Sequence, residues 1–251
     1  MAHTRTNHNG RGCAVLLFLV MTAVIPVFAY GEGHAMGEQQ AARADDASDA
    51  AVYVVAYLEV MPPSTSEATA LLRQYREASR KDEGHVRLEV LQQSGRPDHF
   101  AIVAMWKDQK AFEAHAMAAH TRHLRETLRP LRISPYDERP HTGLTRGPTL
   151  TAPAQGAMYV VTHADAIPPA KDEAIAAMKQ LAEASRTDDG HVRFEVLQQG
   201  SRQNHFTIVE IWKDQKALDA HTMAAHTQQF REKFQPLSGS LYDERLYKAL
   251  D

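Results

Sequence analysis

The chain contains one unit written twice. Residues 53–139 align with residues 159–245 at a constant offset of 106 without a gap, and 50 of the 87 aligned positions are identical. The block Gly84-His85-Val86-Arg87 recurs as Gly190 to Arg193, and Trp106 to Ala111 (WKDQKA) recurs as Trp212 to Ala217. Tyr136-Asp137-Glu138-Arg139 recurs as Tyr242 to Arg245. Two copies are too few for a solenoid, which needs at least about three stacked repeats. They suit a pseudo-symmetric pair of small domains, over 51–142 and 157–251. Residues 143–156, rich in Thr, Pro, Gly and Ala, read as the linker between them.

The duplication explains the unusual histidine count. Of 14 histidines, eight are four positions written twice: His85, His99, His115 and His120, with His191, His205, His221 and His226. The rest of the composition excludes several classes. A hydrophobic fraction of 43% with 24% charged residues excludes a disordered chain and a polytopic membrane protein. A formal net charge of −3 gives no basic excess for nucleic acid. A single cysteine excludes a disulfide framework and a cysteine-rich metal site.

Residues 1–29 have the three-part pattern of a secretory signal. A polar stretch carries Arg5 and Arg11, an apolar run extends from Ala14 to Ala29, and Val27 and Ala29 suit a cleavage site. The apolar run is short for a membrane span, which needs about 20 residues. The expectation is an exported chain, periplasmic or secreted, without a stable span after cleavage; an uncleaved anchor is the alternative. Residues 30–50 hold almost nothing to bury and read as a flexible leader.

Each copy reads strand-helix-strand-strand-helix-strand. Ala51 to Val60 is a β-branched and aromatic run ended by Pro62-Pro63. Ser64 to Glu67 fits a capping box before a helix with Ala68, Leu71, Leu72, Tyr75 and Ala78 on one face. Gly84 ends that helix. His85 to Gln92 and His99 to Lys107 follow as strands, and His85 and His99 are expected to face each other across the hairpin. Asp108 caps a second helix running to about Leu128, and a short strand lies near Tyr136 to Pro140. The third strand is apolar on both faces, so both must be covered. Two helices cover one side of a four-stranded sheet; the second copy must supply the other. The fold class is therefore α+β, with two halves packed sheet to sheet. A ligand pocket is expected in the shared interior or between each sheet and its own helices.

Trp106, His115 and His120 form a Trp-x8-His-x4-His pattern that recurs as Trp212, His221 and His226. With Gly84, the LEVLQQ and FEVLQQ strands and the YDER ends, each copy resembles an antibiotic-biosynthesis-monooxygenase domain of the quinol-monooxygenase type. The resemblance implies a ferredoxin-like βαββαβ unit that pairs into a dimeric α+β barrel, here within one chain as an internal pseudo-dimer; a further oligomer stays open. The family includes cofactor-free oxygenases, which hold an electron-rich phenolate against O₂ in a dry pocket, as well as haem-degrading enzymes, so the resemblance by itself does not fix the chemistry. Where a phenol oxygenase of the family uses an Asn four residues before the Trp, this chain has Ile102 and Ile208. The first-strand Asn of haem-degrading members is absent from both copies.

These readings give the candidate site. His221, Glu210 and His115 are the catalytic candidates; Trp106, Trp212, His120 and His226 are the substrate-binding ones. The copies differ at Glu210-Ile211-Trp212 against Ala104-Met105-Trp106, which favours a complete site in the second half. A carboxylate there could orient a helix histidine or raise its pKa. Each of these residues also has a purely structural reading: core tryptophan, satisfied buried histidine or, for Glu210, a carboxylate paired with an Arg or backbone group at the strand end. His-x4-His lacks the i, i+4 alignment of a helical zinc pair, so no metal is expected. The function expected is oxidation of a quinol or related phenol by O₂. The alternatives are a non-catalytic barrel that binds a small aromatic or haem-like ligand, and a structural barrel without turnover.

Overall fold

The structure, a computed structural model, describes residues 50–145 and 155–250. Residues 1–49, read above as an export signal and leader, and linker residues 146–154 lie outside the described residues. The elements follow the duplicated order. The first copy has β1 (Val52–Glu59), α1 (Thr65–Ser79), β2 (His85–Gln93), β3 (Arg96–Trp106), α2 (Gln109–Ala116), α3 (Ala119–Leu128) and β4 (Asp137–Thr145). The second has β5 (Met158–Asp165), α4 (Lys171–Ser185), β6 (His191–Gln199), β7 (His205–Trp212), α5 (Gln215–Met223), α6 (Ala225–Phe234) and β8 (Asp243–Ala249). Among the described residues, no helix is long and apolar enough to cross a membrane.

Alternation along the strands builds three cores. Side chains of successive strand residues point to opposite faces. Val52, Val54, Ala56 and Leu58 join Phe100, Ile102 and Trp106 beneath α1 and α3, with Leu72 and Leu124 from the helices. The second copy repeats this with Val160, Phe194, Ile208 and Trp212 beneath α4 and α6. The opposite faces of both sheets meet in one interior: Tyr53, Val55, Val103 and Leu91 against Tyr159, Val161, Val209 and Leu197. Each such residue is removed from water at about 1.5–3 kcal/mol for a full-sized apolar side chain. That shared interior is why β3 is apolar on both faces.

The two sheets are not merely stacked. They close into one eight-stranded barrel in the order β1-β3-β2-β8-β5-β7-β6-β4. Strand β4 pairs with β1 of its own half and with β6 of the other, and β8 pairs with β5 and with β2. Closure removes the edge strands that each half would otherwise expose. It also corrects the linker boundary. β4 continues to Thr145, opposite Val196, so residues 143–145 are strand. At Gly143 a β-carbon would lie 2.8 Å from the Tyr53 ring, so a side chain there would displace the strand from its neighbour. Arg87 donates to Glu195 at 2.5 Å, and Arg193 donates to Glu89, so the matching strands of the two halves exchange ion pairs inside the barrel.

Three local expectations are revised. The capping box does not form: Pro62–Ser64 is a 3₁₀ turn running straight into α1, and the Ser64 side chain caps nothing. Instead the Thr65 hydroxyl donates to the Pro62 carbonyl at 2.8 Å. Asp108 does cap its helix, accepting from Ala111 N–H at 2.8 Å, but that helix breaks at Ala118 (φ −62°, ψ 150°). His85 and His99 do not face each other, since His85 stands opposite Trp106 and His99 opposite Glu59.

Candidate functional site

The break between α2 and α3 organises the site. His115 closes α2, His120 opens α3, and the turn between them brings their ring centroids to 5.5 Å. Both meet Asp82, in the loop before β2. That loop is fixed by Gly84, whose φ of +78° suits glycine and whose absent β-carbon would lie 2.4 Å from Ala111 Cβ. Asp82 Oδ2 accepts from His115 Nδ1–H at 2.7 Å, and His120 Nε2 lies 3.1 Å from the same oxygen. Trp106, at the end of β3, stacks on His115 with centroids 4.2 Å apart. The second half repeats the arrangement: Asp188 Oδ2 to His221 Nδ1 at 2.8 Å and to His226 Nε2 at 3.1 Å, with Trp212 stacked at 4.4 Å. In each triad three potential ligand atoms lie within 4.8 Å of one another. The spacing argument against a metal assumed one continuous helix, which the break at Ala118 removes.

The structure thus brings each Trp-His-His set together, and adds an aspartate to it. Sequence reading passed over Asp82 and Asp188. The signal available was their identity between copies at a fixed three residues before His85 and His191.

The halves differ at the remaining nitrogen of the first histidine. In the first half, Tyr75 of α1 donates its O–H to His115 Nε2 at 2.7 Å. Burial raises the Tyr75 pKa above the usual phenol value, so it stays protonated. In the second half that position is Leu181, and the polar partner comes from the sheet. Glu210 Oε2 accepts from Trp212 Nε1–H at 2.9 Å and lies 3.6 Å from His221 Nε2. Burial pushes Glu210 up to about 8, against the opposing hydrogen bond from Trp212. The carboxyl therefore carries its proton at neutral pH. The expectation that it acts as a carboxylate to raise the histidine is corrected: burial lowers the His221 pKa, and Asp188 is the group that orients the ring.

Accessibility separates the candidates further. Trp106, Trp212, His115, His221 and Glu210 are all buried. His120 and His226 are not; their side chains are 23% and 26% exposed, and of the two His226 lines a groove of about 560 Å³ between α4 and α6. Ala177, Leu181 and Phe230 form the groove's buried apolar floor, and Gln180, Glu183, Thr187, Gln229 and Lys233 form its polar rim. The corresponding first-half residues include the bulkier Leu71 and Tyr75, and the Tyr75 ring lies 6.0 Å from His120. A second cavity, of about 930 Å³, sits at a barrel mouth and is lined by both copies. Its Arg139 and Arg245 are each clamped by Asp137 and Asp243, at 2.5 and 2.6 Å. These were quoted as the YDER motif but not as site residues. With both cations paired in this way, the groove at His226 offers the clearer proton-transfer group.

Comparisons with known proteins agree with this architecture. The family model for antibiotic biosynthesis monooxygenase matches residues 51–127 and again residues 157–233. "Putative monooxygenase YcnE" of Bacillus subtilis (strain 168) is 28% identical over 76 residues, covering 30% of this chain and 80% of that protein. Among solved structures, a "Putative monooxygenase" from Fusobacterium nucleatum subsp. nucleatum superposes with a TM-score of 0.73 at 13% identity, covering 80% of this chain and 93% of that one. An "anthrone oxidase-like protein" gives a TM-score of 0.64 at 12% identity, covering 81% and 92%. At such identities the structural likeness speaks for the fold, and the two family matches for descent: the chain belongs to the antibiotic biosynthesis monooxygenase family, with two copies of the domain closed into one barrel.

Proposed function

We propose that this protein is an exported, cofactor-independent monooxygenase that oxidises a quinol or related phenol with O₂ in the groove at His226. One observation carries this reading: an imidazole braced by a carboxylate stands in a groove with an apolar floor and a polar rim, large enough for a two-ring aromatic. The hydrogen bond from His226 Nε2–H to Asp188 leaves Nδ1 as the acceptor. A phenol O–H directed at Nδ1 gives up its proton, and the resulting charge spreads to the ring carbons. An electron-rich carbon then reduces O₂ and forms the C–O bond. Loss of water leaves the carbonyl; one oxygen atom stays on the product and the other departs with two substrate hydrogens. His221 and Trp212 do not touch substrate here; with Glu210 they hold Asp188 and hence His226 in place.

The family match and relatives described as monooxygenases support this reading. Oxygen uptake with a menadiol-type quinol, using full-length protein freed of metal and flavin, tests it. Uptake that saturates with quinol and falls about 100-fold in His226→Ala is the expected result. A second reading, a non-catalytic binder of small aromatics, is favoured by the burial of Glu210, His221 and Trp212 away from the groove. Saturable tryptophan quenching by a naphthoquinone without oxygen uptake would select it.

A further inference from the structure

We infer that the first-half triad, Asp82 with His115 and His120, is a binding site for one divalent transition-metal ion, distinct from the groove in the second half. The ligand set is two imidazoles and one carboxylate, the donor chemistry that zinc and its neighbours take. Asp82 Oδ2, His115 Nδ1 and His120 Nε2 already converge, at 2.7 and 3.1 Å from the shared oxygen. Tetrahedral zinc bonds of about 2.0–2.1 Å require only slightly wider separations between ligand atoms.

Two features single out this triad over its copy. The first is His120 Nε2, a buried nitrogen that is close to Asp82 but makes no hydrogen bond. Its counterpart in the second half, His226 Nε2, is satisfied by Asp188. The second is Tyr75. Its hydroxyl meets His115 Nε2 at 2.7 Å and can serve as acceptor as readily as donor. With Nε2–H donated to Tyr75, His115 presents the bare Nδ1 that a metal needs. A partner on the far nitrogen is what fixes a ligating histidine's tautomer and orientation. In the second half Leu181 offers no such group. There the nearest hydroxyl to His221 Nε2, that of Thr227, lies at 3.4 Å, against 2.7 Å for Tyr75 and His115. Asp82 and His120 are each about one-fifth exposed, so water can complete the coordination.

Calorimetric titration of chelator-treated, full-length protein with ZnCl₂ tests the site. The expected result is an equivalent of saturable binding that disappears in His120→Ala and persists in His226→Ala. Tyr75→Phe keeps all three ligands and weakens binding about 10-fold at unchanged stoichiometry. A second readout uses Trp106, stacked 4.2 Å from His115. In Trp212→Phe protein, Cu²⁺ should quench the remaining tryptophan saturably, and His120→Ala should abolish that quenching. Absence of saturable zinc binding, binding that survives His120→Ala, or equal loss in His226→Ala would each overturn the site. Oxygen uptake is not part of this test, so the site and the proposed oxygenase activity stand or fall separately.

Discussion

The two halves keep the same Trp-His-His-Asp cluster but supply its last polar contact from opposite sides. In the first half, Tyr75 reaches down from α1 to His115, and the strand position beneath is Ala104. In the second, the helix position is Leu181 and the strand supplies Glu210. The exchange moves bulk as well as polarity. Tyr75 and Leu71 crowd the first half where Leu181 and Ala177 leave a groove beside His226. Duplication thus left one half with the space beside its second histidine filled and the other with a groove there, although His120 and His226 are similarly exposed.

The comparison can be broken most severely by making the second half resemble the first. The double change Ala177→Leu with Leu181→Tyr should fill the groove and cut quinol turnover by more than about 100-fold. Circular dichroism should be unchanged, because the first half tolerates the same pair. Normal turnover in a folded double variant would show that the groove is not the site. A lesser loss, about 10- to 100-fold, is expected for Glu210→Ala or His221→Ala, which loosen the support of Asp188 and His226. His115→Ala should lose much less; equal losses would sink the asymmetry.

Stability against pH sharpens the contrast at Glu210. Its folded value of about 8 lies above its unfolded value, so the folded state holds the proton more tightly. Its contribution is therefore fully present below about pH 4.5 and is lost as pH rises toward 8. Glu210→Gln removes that loss while keeping an acceptor for Trp212 N–H. The variant should match the parent near pH 4.5 and exceed it by roughly a few kcal/mol at pH 8 in urea unfolding. A parallel offset at both pH values would contradict the buried, protonated carboxyl. His163 and His141 act in the opposite direction. Burial lowers each to about 4, so stability they contribute above pH 6.5 is lost as pH falls through 4. The smallest effect expected is for Tyr75→Phe in metal-free protein, about 1 kcal/mol for one hydrogen bond to His115. Leu181→Phe, with no such bond to lose, should leave the second-half cluster's hydrogen bonds intact.

Much of this was legible before the fold was known. The fixed offset of 106 announced two equivalent halves, and the apolar double face of Phe100 to Trp106 required a second sheet. What stayed hidden depends on tertiary contacts. Nothing in Ala116-Met117-Ala118-Ala119 signals a helix break, since alanine and methionine are strong helix formers. At the break both histidines reach one aspartate, more than thirty residues away. The crossing of β4 and β8 between halves was invisible for a similar reason: Thr142 to Thr145 are strand because Gln198 to Val196 pair with them. The sequence comparison singled out Ala104 against Glu210 and passed over the replacements of Leu71 by Ala177 and of Tyr75 by Leu181. That they open space beside His226 follows only once α4 and α6 are seen to pack together.

The central claim is that the half with the groove does the chemistry and the half without it does not. Oxygen uptake with a reduced naphthoquinone, compared between His226→Ala and His120→Ala, tests this most directly. The two positions are equivalent by sequence and similarly exposed, so folding costs should match. A loss of about 100-fold in His226→Ala with near-parental uptake in His120→Ala is predicted. Equal losses, or a larger loss in His120→Ala, would contradict it.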